Sequence, residues 1–355
     1  MTVEDSTLRV RVLGAGIIGL TCALELGRRG HRVEVVDPAP GSGASWAAAG
    51  MLSPAGEAWH GEADLLRTGR RSADLWPELA RDLGVPLRQV GTMLVAHDAG
   101  DAEDLGRLLS LLTDHGEPVE RLASRDARVL EPALARGCAG AALLPRDHSV
   151  DPRAVVRALR RRCRVVPAAT GPADVTVVAT GTTLPPPFAH LVRGVRGEVV
   201  RAHCPDPPRR TLRGWVRGTP VYVVPRPDGE VVIGATQSEH AAPPVVTLEG
   251  LATLLVAART LLPGLDRATF GEAVARDRPA SVDHRPLVGA THLPEVLLAA
   301  GHHRHGVLLA PLTAVLIADH LDGGASEPSW DPRRFDTVHP PTGPSQTAQS
   351  RSVPQ

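Results

Sequence analysis

The 355 residues carry 39 basic and 39 acidic side chains, so the formal net charge is zero and there is no electrostatic case for a nucleic-acid partner or an anionic membrane surface. Hydrophobic residues make up 43%, enough for one large core or two intimate domains, and charged residues at 22% are near the globular average. Every basic residue is arginine, which excludes chemistry through a lysine Schiff base.

In chain order, residues 9–13 (Arg-Val-Arg-Val-Leu) read as a short strand entering Gly14, and residues 17–29 are apolar at helical spacing up to Gly30, a natural stop. Residues 32–36 (Arg-Val-Glu-Val-Val) form a second strand that ends at Asp37-Pro38, completing a βαβ unit. Residues 41–50 are small and rich in Gly, Ala and Ser, and helices are predicted over 62–83 and 101–114. From 193 to 236 the pattern changes to short β-rich runs at 197–200, 221–224 and 231–233, with Pro227-Asp228-Gly229 as a hairpin turn. A helix follows at 248–261, then a strand around 296–299, a Gly/His loop at 301–306 and a helix at 307–320. Residues 336–355, rich in Pro, Ser, Thr and Gln, are predicted to be a disordered tail.

Cys22, Cys138, Cys163 and Cys204 are scattered without CxxC or zinc spacing, which fits a reduced, cytoplasmic setting. Residues 1–8 are polar and acidic rather than a signal peptide, and no apolar run is long enough to span a membrane.

Gly14-Ala15-Gly16-Ile17-Ile18-Gly19 matches G-x-G-x-x-G between the first strand and helix. The first glycine makes the tight turn, the second lets a pyrophosphate approach the backbone, and the third lets helix and strand pack closely. The helix N-terminus then offers N–H groups and a positive dipole end to the phosphates. Asp37, at the end of the second strand, stands where an acid binds a ribose hydroxyl, and this favours FAD or NAD over NADP. The fingerprint alone leaves FAD and NAD open. The segment 43–54 is nearly all small, so a planar ring could lie against it; a flexible loop is the alternative.

Ala-Ser-Trp-Ala-Ala-Ala-Gly-Met-Leu-Ser-Pro at 44–54 resembles the flavin-side segment of the D-amino-acid oxidase superfamily, and most closely the glycine oxidases of thiamine biosynthesis. Further stretches agree in order: Arg196-Gly197-Glu198, Tyr222-Val-Val-Pro-Arg226, Val232-Ile-Gly-Ala-Thr236, Arg278-Pro279 with 285–289, and 300–311. The resemblance covers residues 8–335. It implies an α/β (α+β) fold, D-amino-acid-oxidase-like. An FAD-binding Rossmann-like domain (8–85, 145–192 and 275–325) would interleave with an antiparallel-sheet substrate domain (86–144 and 193–274).

The implied cofactor positions are Gly14, Gly16, Ile17, Ile18 and Gly19 in the phosphate turn, Asp37 and Pro38 at the ribose, and Ala44 and Ser45 near the pyrophosphate. Ala49, Gly50 and Met51 would lie along the isoalloxazine, and Val166 and Gly181 also belong to the implied set. His302, His303, Arg304, His305, Gly306, Val307 and Leu308 would lie at the pyrimidine end, where a helix start faces the flavin edge that becomes anionic on reduction. On the substrate side Arg278 would clamp a carboxylate, Tyr222 would add a hydroxyl hydrogen bond, and Arg304 would line the site beside the flavin. The implied reaction deaminates glycine or a similar small amine to the imine and glyoxylate, reduces O2 to hydrogen peroxide and supplies thiazole synthesis. A homo-oligomer is implied by analogy. Oxidation of sarcosine, D-alanine or D-proline, a catalytically lapsed FAD-binding protein, and an NAD-dependent dehydrogenase are the other readings.

No metal is expected at His302, His303 and His305, because near-adjacent histidines rarely converge on one ion. Asp147-His148 before Ser149 mimics a hydrolase pair but lacks a G-x-S-x-G elbow. Two departures stand out. The family's extra β excursion is missing between 164 and 178, and Gln237 follows Ala235-Thr236 where an apolar residue is usual.

Overall fold

The computed structural model describes residues 7–239, 242–324 and 326–335; the tail predicted at 336–355 lies outside them. The opening βαβ unit forms as read: β1 (Arg9–Leu13), α1 (Ile17–Arg28) and β2 (Arg32–Val36), with β1 and β2 parallel. β1 is central in a six-stranded sheet. On its other side it pairs with Val175–Val178, which pairs in turn with Val296–Ala300, both in parallel, and Leu287–Ala290 closes that edge antiparallel. The chain leaves β1 toward one side and returns on the other, so the carboxyl end of β1 is a topological switch point, where open α/β sheets form a crevice.

A second, eight-stranded sheet is almost wholly antiparallel. Its longest pair joins Val192–His203 to Thr269–Ser281, with Val195 opposite Arg278 and Gly197 opposite Arg276. The strands Thr219–Pro225 and Glu230–Gly234 are joined through the predicted hairpin, in which Gly229 adopts φ +88°. The exception is Thr92–Ala96, which runs parallel to Thr211–Val216. A small third sheet pairs His148–Val150 with Met51–Leu52 and with Leu87–Arg88.

The predicted helix at 307–320 is observed as Gly306–Leu321 and is buried nearly all round, as its uniformly apolar sequence requires. Pro311 stands inside it, where it removes one main-chain donor and disturbs the turn before it. The helix Ala63–Leu83 repairs that turn. Ser72 Oγ donates to the Leu308 carbonyl (2.7 Å), Trp76 Nε1 donates to the same oxygen (3.0 Å), and the Leu312 N–H donates back to Ser72 Oγ (3.3 Å). Trp76 is fully buried there, in the core between the parallel sheet and its helices.

Ser72→Ala strips the Leu312 N–H of its acceptor and weakens cover of the Leu308 carbonyl. The expected loss is about 1–3 kcal/mol, the cost of an unsatisfied buried polar group, read as a lower urea midpoint with folded secondary structure unchanged.

Candidate active site

Two cavities meet at the carboxyl end of β1. The first, about 500 Å³, begins at Asp37 and Pro38 and passes Gly14, Gly16, Ile17, Ile18, Ala44 and Ser45. It continues by Thr180 and Gly181 to Arg278, His302, His303, Arg304, Gly306 and Val307. The second, about 450 Å³, lies on the antiparallel sheet and is bordered by Ala49, Gly50, Met51, Glu57, Arg213, Tyr222 and Gln237. Ala48, Arg278, Arg304 and Val307 border both, so the two are end to end.

The glycine turn is built for close approach. A side-chain carbon on Gly14, whose φ is +103°, would come within 2.4 Å of the Ala179 carbonyl oxygen, and one on Gly19 within 2.1 Å of the Gly14 oxygen. At Gly16 the nearest atom would be Ser45 Oγ at 3.4 Å, and the rest is open space. α1 starts at Ile17 without a side-chain cap from Gly16. The Ile17 N–H donates to Ser45 Oγ (3.0 Å), which leaves the Ser45 hydroxyl proton free to turn into the cavity. Asp37 is held by the N–H groups of Ala15 (2.7 Å) and Ala39 (2.8 Å). Thr180 Oγ1 and His303 Nε2 are buried without a hydrogen-bond partner, and both residues line this cavity. An uncapped helix start, an open glycine and two unanswered polar atoms fit a long diphosphate ligand.

The histidine loop is kept neutral by burial. Desolvation pushes His302 and His303 down to about 3 and His305 to about 4, against an attraction from Glu57 in the last case. Their ring partners diverge: His302 Nε2 pairs with Thr313 Oγ1 (2.9 Å), His305 Nδ1 faces Glu57 (3.3 Å), and His303 packs beside His284.

On the substrate side, Arg278 lies flat on the opposite strand. A side-chain carbon on Gly197 would come within 2.4 Å of its guanidinium, so only glycine leaves room for it. Arg278 Nη1 donates to the carbonyls of Arg196 (3.2 Å) and Thr236 (3.3 Å), and no carboxylate pairs with it among the described residues. Tyr222 crosses Gly234 in the same way, its hydroxyl 2.3 Å from where a side-chain carbon would stand. Burial pushes its phenol up, opposed by the nearby Arg278 charge. Glu198 caps the next layer: its carboxylate accepts from the Thr247 N–H (2.6 Å), which caps the helix Leu248–Leu261, and from Thr236 Oγ1 (3.1 Å). The run Arg196-Gly197-Glu198 thus seats Arg278, and Arg196 itself is paired with Asp277.

Sequence reasoning missed Glu57 and Arg213. Glu57 Oε1 accepts from Arg213 Nη1 (2.8 Å), and Glu57 Oε2 is 3.5 Å from Arg304 Nε. Burial raises the Glu57 carboxyl, but the Arg213 and Arg304 charges outweigh it and hold it below its ordinary range. Arg304 also meets Glu62 (2.9 Å). Asp147, read as half of a false hydrolase pair, fixes the turn that carries Glu57. It accepts from Ser53 Oγ (2.5 Å) and the Gly56 N–H (2.8 Å). Of the residues singled out in the sequence, Gly19, Val166, His305 and Leu308 border neither cavity. Gly19 lies under the turn, the Val166 carbonyl accepts from the Asp37 N–H (3.0 Å), and the Leu308 carbonyl is taken by Ser72 and Trp76. The missing excursion leaves a short connection tied to the sheet by Thr170 N–H on Glu34 (3.1 Å) and Asp174 on the Arg9 N–H (2.8 Å).

A glycine-turn Rossmann sheet whose cavity runs end to end into a second cavity on an antiparallel sheet is the architecture of a dinucleotide-dependent oxidoreductase. Residues 9–320 match the family described as FAD dependent oxidoreductase, and the chain belongs to that family. Its cofactor is FAD. It is 31% identical to a glycine oxidase of Geobacillus kaustophilus, covering 88% of this chain and 92% of the relative. It is 34% identical to a putative thiamine biosynthesis oxidoreductase ThiO of Rhizobium etli, covering 88% and 96%. The crystal structure of the Geobacillus kaustophilus glycine oxidase superposes with a TM-score of 0.80 at 29% identity, over 90% of this chain and 96% of that one. No helix among the described residues is long and apolar enough to cross a membrane.

The neutral histidine loop makes stability pH-dependent. A group whose folded value lies below its unfolded value gives stability that is present above about pH 6.5 and is lost as pH falls toward the folded value. For His302, 2% exposed, the expected loss between pH 7 and pH 5 is about 2 kcal/mol. His302→Gln should therefore flatten the curve of unfolding midpoint against pH in that interval; an unchanged slope would show that His302 is not the titrating group.

Proposed function

We propose that the chain oxidises glycine, or an amine of similar size, to the imine while O2 becomes hydrogen peroxide, and that the imine either hydrolyses to glyoxylate and ammonia or is captured before hydrolysis for thiazole assembly in thiamine synthesis. Two relatives, a glycine oxidase and a protein named as a putative thiamine biosynthesis oxidoreductase, support the substrate and its use. When bound, FAD supplies the hydride acceptor. The residues that would hold it are Gly14, Gly16, Ile17 and Ser45 at the diphosphate, Asp37 at the ribose, and Ala48, Ala49, Gly50 and Met51 with Val307 at the ring end. The remaining contribution of the chain is orientation and charge.

The observation that carries this reading is the charge balance of the second cavity. Arg213 and Arg304 are answered by Glu57 and Glu62, two cations against two anions, and the histidines nearby are neutral. Among the described residues lining this cavity, Arg278 is left as the one charge without a counter-ion. That fits a substrate with a single carboxylate and a neutral amine. Arg278 takes the carboxylate through its planar fork, and the Tyr222 hydroxyl, which has no partner among the described residues, donates to the same group. The α-carbon is thereby presented beside the 48–51 segment. The amine enters unprotonated, so no side chain has to accept its proton. Gln237, at the exposed mouth, sets which amine substituent is tolerated.

The parallel strands at 9–13, 32–36, 175–178 and 296–300 support assigning 8–85, 145–192 and 275–325 to the FAD side, and the strands at 92–96 and 192–234 support 86–144 and 193–274 as the substrate side, but the strand Thr269–Ser281 crosses the boundary at 275 and stays in the antiparallel sheet throughout. Four free cysteines, three of them buried, support a reducing, cytoplasmic setting, and a homo-oligomer follows by analogy alone.

The purified protein should carry an oxidised flavin spectrum that glycine bleaches without oxygen and that re-forms with peroxide when air is admitted. Sarcosine, D-alanine and D-proline run in parallel rank the substrates, and a bound flavin that none of them bleaches would mark a lapsed enzyme.

Arg278→Ala should raise KM on the order of 10²-fold, about 3 kcal/mol of lost charge-assisted binding, with FAD content unchanged. Gly197→Ala should act in the same direction although residue 278 is still arginine, because the added carbon displaces its guanidinium. An unaltered KM in both would remove Arg278 from the carboxylate.

A further inference from the structure

A third cavity, about 420 Å³, shares no lining residue with the two described above. It lies between the start of the helix Pro152–Arg162, the Leu87–Arg88 strand and the turn at 225–230. Five of its residues are arginines: Arg88, Arg153, Arg157, Arg201 and Arg226. Only three are acids: Asp151, Asp228 and Glu230.

The pairs inside it do not balance. Arg201 is answered by Glu230 (2.6 Å), Arg157 by Asp151 (3.6 Å), and Arg153 by Glu272 from outside the cavity. Asp228 spends one oxygen on the Glu230 N–H (3.1 Å). Arg88 and Arg226 meet no carboxylate among the described residues. Each has a single main-chain acceptor: the Arg209 carbonyl for Arg88 (2.8 Å) and the Ala49 carbonyl for Arg226 (2.5 Å). Arg226 is 5% exposed, and its Nε and Nη1 are buried without a partner, as are Arg88 Nε and Arg153 Nη2.

Burial lowers the Arg226 guanidinium to about 10, which leaves it charged at neutral pH. A buried cation with unanswered donors is costly, and a chain normally removes it or pairs it. The helix start does not supply the missing interaction, because the Asp151 carboxylate already takes the Arg153 N–H (3.0 Å). Two neighbouring forks with no carboxylate in contact, Asp151 and Glu230 acting on Arg226 only from beyond ion-pair distance, at a cavity larger than an inorganic anion, match the geometry and charge of a phosphate dianion.

We propose that this cavity binds a small phosphate dianion, free or as a monoester, between Arg88 and Arg226. The site is separate from the diphosphate turn at Gly14 and from the carboxylate clamp at Arg278.

The test is isothermal titration of the FAD-loaded protein with inorganic phosphate and, in a second arm, with glycerol 3-phosphate, at ionic strength held constant with sodium chloride. Saturable one-to-one binding is expected. Arg88→Gln and Arg226→Gln should each weaken it at least tenfold, and Arg278→Ala should leave it unchanged. Tighter binding of the ester would identify a phosphorylated metabolite as the ligand, and equal or tighter binding of the free anion would identify phosphate itself. Should Arg226→Gln fail to fold, Arg88→Gln at the half-buried rim decides alone. Absence of saturation with the unaltered protein, equal affinity in Arg88→Gln, or loss of binding in Arg278→Ala overturns the proposal.

Discussion

The site depends on one close contact, the guanidinium of Arg278 lying against the bare backbone at Gly197. The two longest strands of the antiparallel sheet, Val192–His203 and Thr269–Ser281, run side by side, and their register sets Arg278 opposite Val195 and diagonal to Gly197. With no side chain at Gly197, the arginine lies across the neighbouring strand and reaches the junction of both cavities. A residue with a β-carbon at 197 would push it off this path, and the two cavities would then lose one of the two cations they share, the one with no carboxylate partner among the described residues. The Tyr222–Gly234 contact repeats the device one strand pair further on, so the residues that would touch substrate lie over glycines in a rigid sheet rather than on loops.

A second layer of buried charge keeps the walls in place. Asp147 is fully buried, and burial raises its carboxyl above the ordinary range, yet it binds Ser53, Gly56 and Arg70 and so fixes the turn bearing Glu57. Behind the ring-side segment, Arg153 donates to the Trp46 carbonyl (2.9 Å), Arg201 to Ala48 (3.4 Å) and Arg226 to Ala49 (2.5 Å). Three guanidiniums on the carbonyls of residues 46, 48 and 49 hold this short run of alanines in one conformation. Composition alone would allow that run to be a flexible loop; the carbonyl contacts come from residues 107, 153 and 177 positions away.

This separation explains what the sequence could and could not disclose. The fingerprint Gly14-Ala15-Gly16-Ile17-Ile18-Gly19, Asp37, the β1–α1–β2 unit and the hairpin at Asp228-Gly229 were legible, because each depends on neighbours within one unit. The strand Thr269–Ser281 was not legible from its pattern. Its sequence, Thr-Phe-Gly-Glu-Ala-Val-Ala-Arg-Asp-Arg-Pro-Ala-Ser, has no sustained alternation, and only part of it is buried. Thr92–Ala96 failed for the opposite reason: all five residues are buried, so it shows no period that separates strand from helix. Pro152–Arg162 was overlooked although it carried a clear signal, with Asp151 as cap, Pro152 in the first turn and apolar residues at helical spacing. Arg278, Tyr222 and Arg304 came only from the resemblance. The Glu57–Arg213 pair left no local mark, since its members are 156 positions apart.

Because the chain has no lysine, every cation it places at depth is a guanidinium, and a guanidinium does not shed its proton to escape burial. Each buried arginine must therefore find an anion, a carbonyl or a ligand. Arg213 and Arg304 find Glu57 and Glu62, and Arg196 finds Asp277. Arg278 is different in kind: its protein acceptors are neutral carbonyls at 3.2 and 3.3 Å, long contacts for a charged donor, and its position faces open volume. The same comparison sets Arg226 apart from Arg201 beside it, since Arg201 has Glu230 and Arg226 has only the Ala49 carbonyl. With the fully buried Arg196 and Arg201 answered by carboxylates, an unanswered arginine that also borders a cavity is where an anionic ligand lowers the free energy most, and the combination of missing counter-ion and open volume distinguishes ligand sites from structural ion pairs.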